Sequence, residues 1–186
     1  NNLMAKFEFG GANKKGMYFD EEYRSHMPSI QAMLAEAAGN LADAGEKDKA
    51  QKLIEKVEAG ILPENLPYAM TSRYNGHNQT GLIYLEACYK AGKTDLAEKI
   101  RKELRKDLEQ QQRYYEYIRT ERQEFYGGYE RSEAPINEAM LAVLSAIESK
   151  YAPQTKPAST NEGAQPINTP GKPPAGKDTT SGKNGR

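Results

Sequence analysis

Ala44-Gly45-Glu46-Lys47-Asp48-Lys49-Ala50, followed by Leu53, Ile54 and Val57, decides the fold of this chain. It recurs as Ala91-Gly92-Lys93-Thr94-Asp95-Leu96-Ala97, followed by Ile100 and Leu104. In each copy an apolar helical run precedes the glycine and another follows it. A glycine just past a helix end takes the left-handed conformation that closes the helix. The small Ala50 and Ala97 let the second helix lie close against the first. The pattern is a helical hairpin, written twice.

Working outward, Ile30, Met33, Leu34, Ala37, Ala38 and Leu41 recur at three and four residues and predict an amphipathic helix ahead of Gly45. Pro28 suits the first turn of that helix, and Asp20, Glu21 and Glu22 favour a positive helix end nearby. Gly60 is expected to close the first hairpin, and Pro63 and Pro67 make residues 61–68 an extended connector. A second long helix is expected from about Met70 or Tyr74 to Ala91, with Leu82, Leu85, Cys88 and Tyr89 buried and Asn75-Gly76 as an early break. After Gly92, Leu96, Ile100, Leu104, Leu108, Tyr115, Ile118 and Phe125 fall at helical spacings, with Gln110 to Gln112 partly exposed. Gly127-Gly128 stops that run. Ser132 and Pro135 then open a last helix whose apolar face is Ile136, Met140, Leu141, Val143, Leu144 and Ile147.

The two ends differ from this body. Residues 1–22 space aromatics among glycines without a helical period, so an irregular segment is expected, with Phe7, Phe9, Tyr18 and Phe19 packed on the helices. Its glycines match neither phosphate-loop motif. Residues 152–186 have Ile167 as their only large aliphatic side chain and are expected to be disordered. The expected organisation is an irregular motif over 1–22, an all-α helical-repeat domain over 23–151, and the tail.

Composition excludes several classes of function. Lys plus Arg and Asp plus Glu are 26 each, so net charge is zero and nothing points to nucleic acid. A mean hydropathy of −0.87 describes a soluble chain, and no apolar run reaches the ~20 residues that span a bilayer. The lone Cys88 lies on a predicted apolar face and reads as a small core residue. Glu22 and His26 are a helical pair with no third metal ligand in view, and His77 reads as a solvated loop residue. No serine or cysteine sits in a nucleophile context. The expectation is therefore no catalytic residue, no metal and no cofactor.

The most unusual surface stretch is Arg113, Tyr114 and Tyr117, continuing to Arg122, Tyr126 and Tyr129. Interleaved tyrosine and arginine on a helix end suit stacking on sugars or bases, or a protein-interface hot spot. The plainer reading makes Tyr115, Ile118 and Phe125 core and the rest a cover for the last helix. Glu116, Glu121, Glu124 and Glu130 among the cations disfavour a phosphate backbone.

Superposing Gly45 on Gly92 aligns Leu34 with Gly81, Ala38 with Leu85, Leu41 with Cys88 and Leu53 with Ile100, an offset of 47 residues. The order within each unit resembles the tetratricopeptide repeat, whose period is about 34. The consensus tryptophan is absent, and Gly81 stands where a large residue is expected. Such stacks leave a concave face that takes peptides or partner domains.

A second resemblance rests on the opening. Lys6-Phe7, Gly10-Gly11, Gly16 and Tyr18-Phe19-Asp20-Glu21, with Leu62-Pro63-Glu64-Asn65-Leu66-Pro67 and Glu116-Tyr117-Ile118, resemble the soluble C-terminal tetratricopeptide-like region of a bacterial family. That family comprises multi-spanning membrane proteins of unknown function similar to protein O-mannosyltransferases. The resemblance covers residues 1 to about 125. It implies a non-catalytic accessory domain on the periplasmic face of the inner membrane, with a protein or peptide partner that includes the membrane part of its own parent chain, or a glycan. Asp178-Thr179-Thr180 is similar to a short O-glycosylation acceptor. The alternatives are a free-standing, cytoplasmic peptide-binding scaffold and a carbohydrate-binding helical protein.

Overall fold

Asp20 sets the start of the first long helix: its Oδ1 accepts the Tyr23 amide at 2.8 Å, the N-cap arrangement that satisfies one of the free amides of a helix start. In the computed structural model, which describes residues 2–151, six α-helices follow one another. They are α1 (Asn2–Lys6), α2 (Glu21–Asp43), α3 (Lys47–Gly60), α4 (Gly76–Ala91), α5 (Thr94–Glu121) and α6 (Gly128–Tyr151). Short 3₁₀ turns at Arg73–Asn75 and Gln123–Phe125 precede α4 and α6. Among the described residues there is no strand, and the chain is all-α as expected. The expected disordered tail, 152–186, and its Asp178-Thr179-Thr180 lie outside the described residues.

Both hairpins close by the same hydrogen bonds. Gly45, at φ +82°, and Gly92, at φ +78°, are left-handed. The Gly45 and Glu46 amides return to the Ala42 and Leu41 carbonyls, and the Gly92 and Lys93 amides to those of Tyr89 and Cys88. This is the Schellman pairing, which satisfies carbonyls that a helix end leaves open. The two turns are held side by side by Gln51 Nε2 donating to the Ala91 carbonyl at 2.8 Å and by Lys93–Glu55 and Lys90–Asp43 ion pairs.

Helix α4 is the centre of the fold. It packs on α2, α3, α5 and α6, and Leu82, Tyr84, Leu85, Ala87, Cys88 and Ala91 are all buried on it. A helix apolar on nearly every side belongs in the interior. The expected core positions Ala50, Ala97, Ile100, Leu104, Leu108 and Leu144 are buried around it.

Gly60 is not a left-handed cap. It ends α3, and the Phe9 ring occupies the space where its Cβ would be. The N-terminal segment belongs to the same compact unit as the helices. The Leu62 amide and Asn65 Nδ2 both donate to the Ala12 carbonyl, Tyr23 Oη donates to the Phe9 carbonyl, and Phe7 stands edge-on to Phe9. Phe9 and Phe19 are buried as expected, but Tyr18 is 82% exposed.

Other expectations shift. Pro28 and Pro135 lie well inside α2 and α6, each leaving one carbonyl of the preceding turn without its amide partner. Helix α5 stops at Glu121, so Phe125 falls on a 3₁₀ turn and is 55% exposed rather than core. Gln111 is buried, with its Nε2 on Asp107 Oδ2. Val143 is exposed on α6.

Candidate functional site

The tyrosine–arginine stretch spans the last turns of α5, the turn after it and the start of α6. Helical period turns Tyr115 and Ile118 inward and leaves Arg113, Tyr114 and Tyr117 exposed. Tyr114 stands edge-on to Tyr115 and its hydroxyl reaches Glu130 Oε1 at 3.4 Å. Burial pushes the Tyr115 phenol up to about 12, helped by Tyr129 and Glu133. Tyr114, Tyr129, Glu130 and Glu133 thus gather around Tyr115. Arg122 pairs with Glu124 and covers the Phe125 ring at 4.8 Å, while Arg131 faces the half-buried Tyr126. Arg122 and Arg131 are thus engaged with a local carboxylate and with rings, and Arg113 and Arg119 are exposed on the same stretch.

A second polar centre lies where the connector meets α4, α5 and α6. Tyr74 (φ +53°) and Asn75 (φ +50°) are successive left-handed residues that are not glycine. Such backbone costs about 1–3 kcal/mol per residue and persists only where the surroundings fix it. Here they do. The Tyr74 amide donates to the buried Glu133 Oε1 at 2.9 Å. Asn75 donates to Asn137 Oδ1 at 3.3 Å and accepts from Asn78 at 2.8 Å. Asn78 also donates to Asp107 Oδ2 and accepts the Met70 amide, while Asn137 donates to the Leu108 carbonyl. The result presents Arg73 and Tyr74 to solvent, the guanidinium over the ring at 4.9 Å.

His77 is a correction to the loop reading. It lies in the first turn of α4, buried, with Nε2 2.6 Å from the Pro67 carbonyl. A carbonyl only accepts, so Nε2 carries the proton and Nδ1 is bare, and Nδ1 has no partner. Burial lowers the imidazole pKa below 6.5 despite the Pro67 carbonyl and Asp107, which act the other way. The native state therefore binds fewer protons than the unfolded chain. Stability is full above pH 6.5 and is lost as pH falls through the depressed native value. Glu98 and Glu148 contribute separately. Burial raises each, but hydrogen bonds from Arg101 and Tyr89 to Glu98, and from Arg105 and Arg101 to Glu148, hold both below 4.5. Their contribution is lost only in stronger acid. Thermal melts between about pH 7 and pH 5 should show a decline for the native chain that His77→Gln flattens; equal slopes would refute the assignment.

Helices α2, α4 and α6 share one open face. Between α2 and α4 lies a depression of about 270 Å³ with Ala35, Gly39 and Ala87 at its floor and Glu36 and Asn40 at its edge. Between α4 and α6 a second, of about 210 Å³, is lined by Ile83, Met140, Val143 and Ile147. Ile83 and Glu86 border both, so the two depressions lie side by side as the halves of a groove, with these side chains between them. The N-terminal segment does not line it. No family model, curated protein or solved structure matches the chain.

The remaining sequence candidates do not line this groove. Lys6 ends α1, Gly10, Gly11 and Gly16 take positive φ, Asp20 caps α2 and Glu21 opens it. A Cβ on Gly10 would lie 2.5 Å from Tyr23 Oη. Cys88 is buried and burial raises its thiol well above the ordinary range, which keeps it protonated and inert. Glu22 and His26 approach to 3.9 Å on the surface, and among the described residues no group of three metal-ligating side chains occurs.

Proposed function

We propose that residues 2–151 are a non-catalytic interaction module that binds a protein or peptide segment along the groove of α2, α4 and α6. The observation that supports this is the adjacency of the two depressions, which share Ile83 and Glu86 as lining, on an open face of the described chain. An exposed Val143 beside half-buried Met140 and Ile83 offers apolar contact that folding alone does not use. The stacked hairpins supply the rigid support such a groove needs.

The likeness of the Lys6–Glu21 segment and the residue 62–67 connector to the membrane-protein family supports a setting for the module. In that reading it is the accessory domain of a glycosyltransferase-like membrane protein, facing the periplasm and presenting an acceptor or its own membrane part to the enzyme. Among the described residues no helix is long and apolar enough to cross a membrane, so the spanning segments would be encoded ahead of Asn1. An upstream coding sequence without apolar spans would sink this setting.

The groove itself is tested by binding to an immobilised peptide library. Val143→Glu places a charge on the apolar half and is expected to weaken captured peptides about tenfold, a loss of about 1.4 kcal/mol. Lys102→Glu, on the exposed side of α5, is expected to leave them unchanged. Binding that Val143→Glu does not alter would refute the groove as the site.

A further inference from the structure

The groove has a distribution of charge and apolar surface that specifies what it takes. Glu86, on the ridge between its halves, is already engaged: Lys150 Nζ lies at 3.4 Å, Lys90 Nζ at 3.9 Å, and the Tyr151 hydroxyl donates to it at 3.1 Å. Lys90 is in turn tied to Asp43 at 2.8 Å. Glu36, at the edge of the α2–α4 half, is exposed and has no ion-pair partner among the described residues. The unneutralised charge of the groove is therefore one carboxylate at one end. Beneath it, Ala35, Gly39 and Ala87 leave a narrow floor: a Cβ on Gly39 would have only the Lys90 stem and the Ala87 methyl at about van der Waals distance. A long unbranched side chain fits over such a floor, with its head at Glu36. The α4–α6 half carries no unpaired charge and is walled by Ile83, Met140, Val143 and Ile147, which suits a branched aliphatic side chain.

The spacing follows from helix packing. Neighbouring packed helices stand about 8–10 Å apart, so the two halves are separated by about that distance. An extended chain advances about 3.3 Å per residue, which puts the two anchors two to three residues apart. Resting on the reading of this groove as the peptide site, we infer that its ligand is an extended segment carrying a basic residue and, two or three positions away, an aliphatic one. The basic residue pairs with Glu36 and the aliphatic one sits against Val143 and Met140. Arginine is preferred over lysine because Asn40 lies beside Glu36 and a guanidinium has donors for both.

Three synthetic peptides test this with the full 186-residue chain: Gly-Ser-Arg-Gly-Ser-Leu-Ser-Gly, the same with Glu for Arg, and the same with Ser for Leu. Fluorescence anisotropy is expected to show the first bound most tightly and each exchange weakening it about tenfold, the scale of one charge-assisted contact or one buried aliphatic group. In Glu36→Lys the order of the Arg and Glu peptides is expected to invert. In Val143→Glu the advantage of Leu over Ser is expected to vanish. Binding that depends on Val143 but ignores Glu36→Lys overturns the charge assignment while leaving the groove as a site. Binding indifferent to both variants overturns the groove as well, and no measurable binding of the Arg–Leu peptide overturns the inferred ligand.

Discussion

Gly81→Ala is expected to cost about 3 kcal/mol, lowering the melting temperature by about 10 °C. A Cβ at residue 81 would lie 2.6 Å from the Tyr68 carbonyl oxygen and 2.9 Å from Leu104 Cδ2. Leu104 can turn, but the Tyr68 oxygen belongs to the connector backbone, which is fixed on both sides. Before it, Asn65 Nδ2 holds the Ala12 and Lys14 carbonyls; after it, the Met70 amide is held by Asn78. The whole arm between the hairpins must therefore lift to admit one methyl group. Gly76→Ala is the control. No atom lies within 4 Å of its Cβ position and its φ is −62°, so alanine should stabilise the start of α4 by about 0.5–1 kcal/mol. A Gly81→Ala protein melting at or above the native temperature would show that the connector is not seated on α4.

Asn78→Leu is expected to be as damaging, about 4 kcal/mol, though leucine keeps the number and branching of the side-chain heavy atoms. Asn78 is fully buried and its amide group serves the Met70 amide, Asn75 Oδ1 and Asp107 Oδ2 together. Leucine strands the Met70 amide and Asn75 Oδ1, each at about 1–3 kcal/mol when buried without a partner, and leaves Asp107 Oδ2 with Gln111 alone. The left-handed Tyr74–Asn75 pair then loses part of what holds it. Urea unfolding should show the reduced midpoint, and hydrogen exchange should show early opening at Met70 and Tyr74. A loss under about 1 kcal/mol with those amides still protected would mean that the network is not what fixes the turn.

Much of the fold was legible because its decisive signals are local. A glycine after an apolar run and an alanine five residues later describe a hairpin within about thirty residues, and Gly45 and Gly92 do form matching turns. What misled was local chemistry with two readings. Pro28 and Pro135 favour a first helical turn, yet Asp20 caps α2 and the Gly127 amide meets Glu130 at the start of α6, each well ahead of its proline. Gly60 looked like a cap because a cap and a close approach both call for a missing Cβ, and only the position of Phe9 separates them. The polar centre was illegible for a different reason. Asn75, His77 and Asn78 resemble a solvated turn in sequence, and their burial depends on Asp107, Glu133 and Asn137, which lie 29 to 62 residues away. The tyrosine stretch was visible in outline, but Phe125 depended on where α5 stopped. The groove had no sequence signal beyond the apolar spacing of α4 and α6, since Val143 reads the same whether covered or open.

Asn75-Gly76 carries one more consequence. An asparagine followed by glycine is the dipeptide most prone to spontaneous deamidation, in which the glycine nitrogen attacks the side-chain carbonyl carbon, ammonia leaves, and water opens the ring to aspartate or isoaspartate. Here both ends of the Asn75 amide are hydrogen-bonded, to Asn137 and Asn78, and the Gly76 amide is held by the Arg73 carbonyl. Attack requires those bonds to open first. Slow conversion at this position therefore records how often the turn lets go, and the protein carries a chemical clock for the integrity of its own centre.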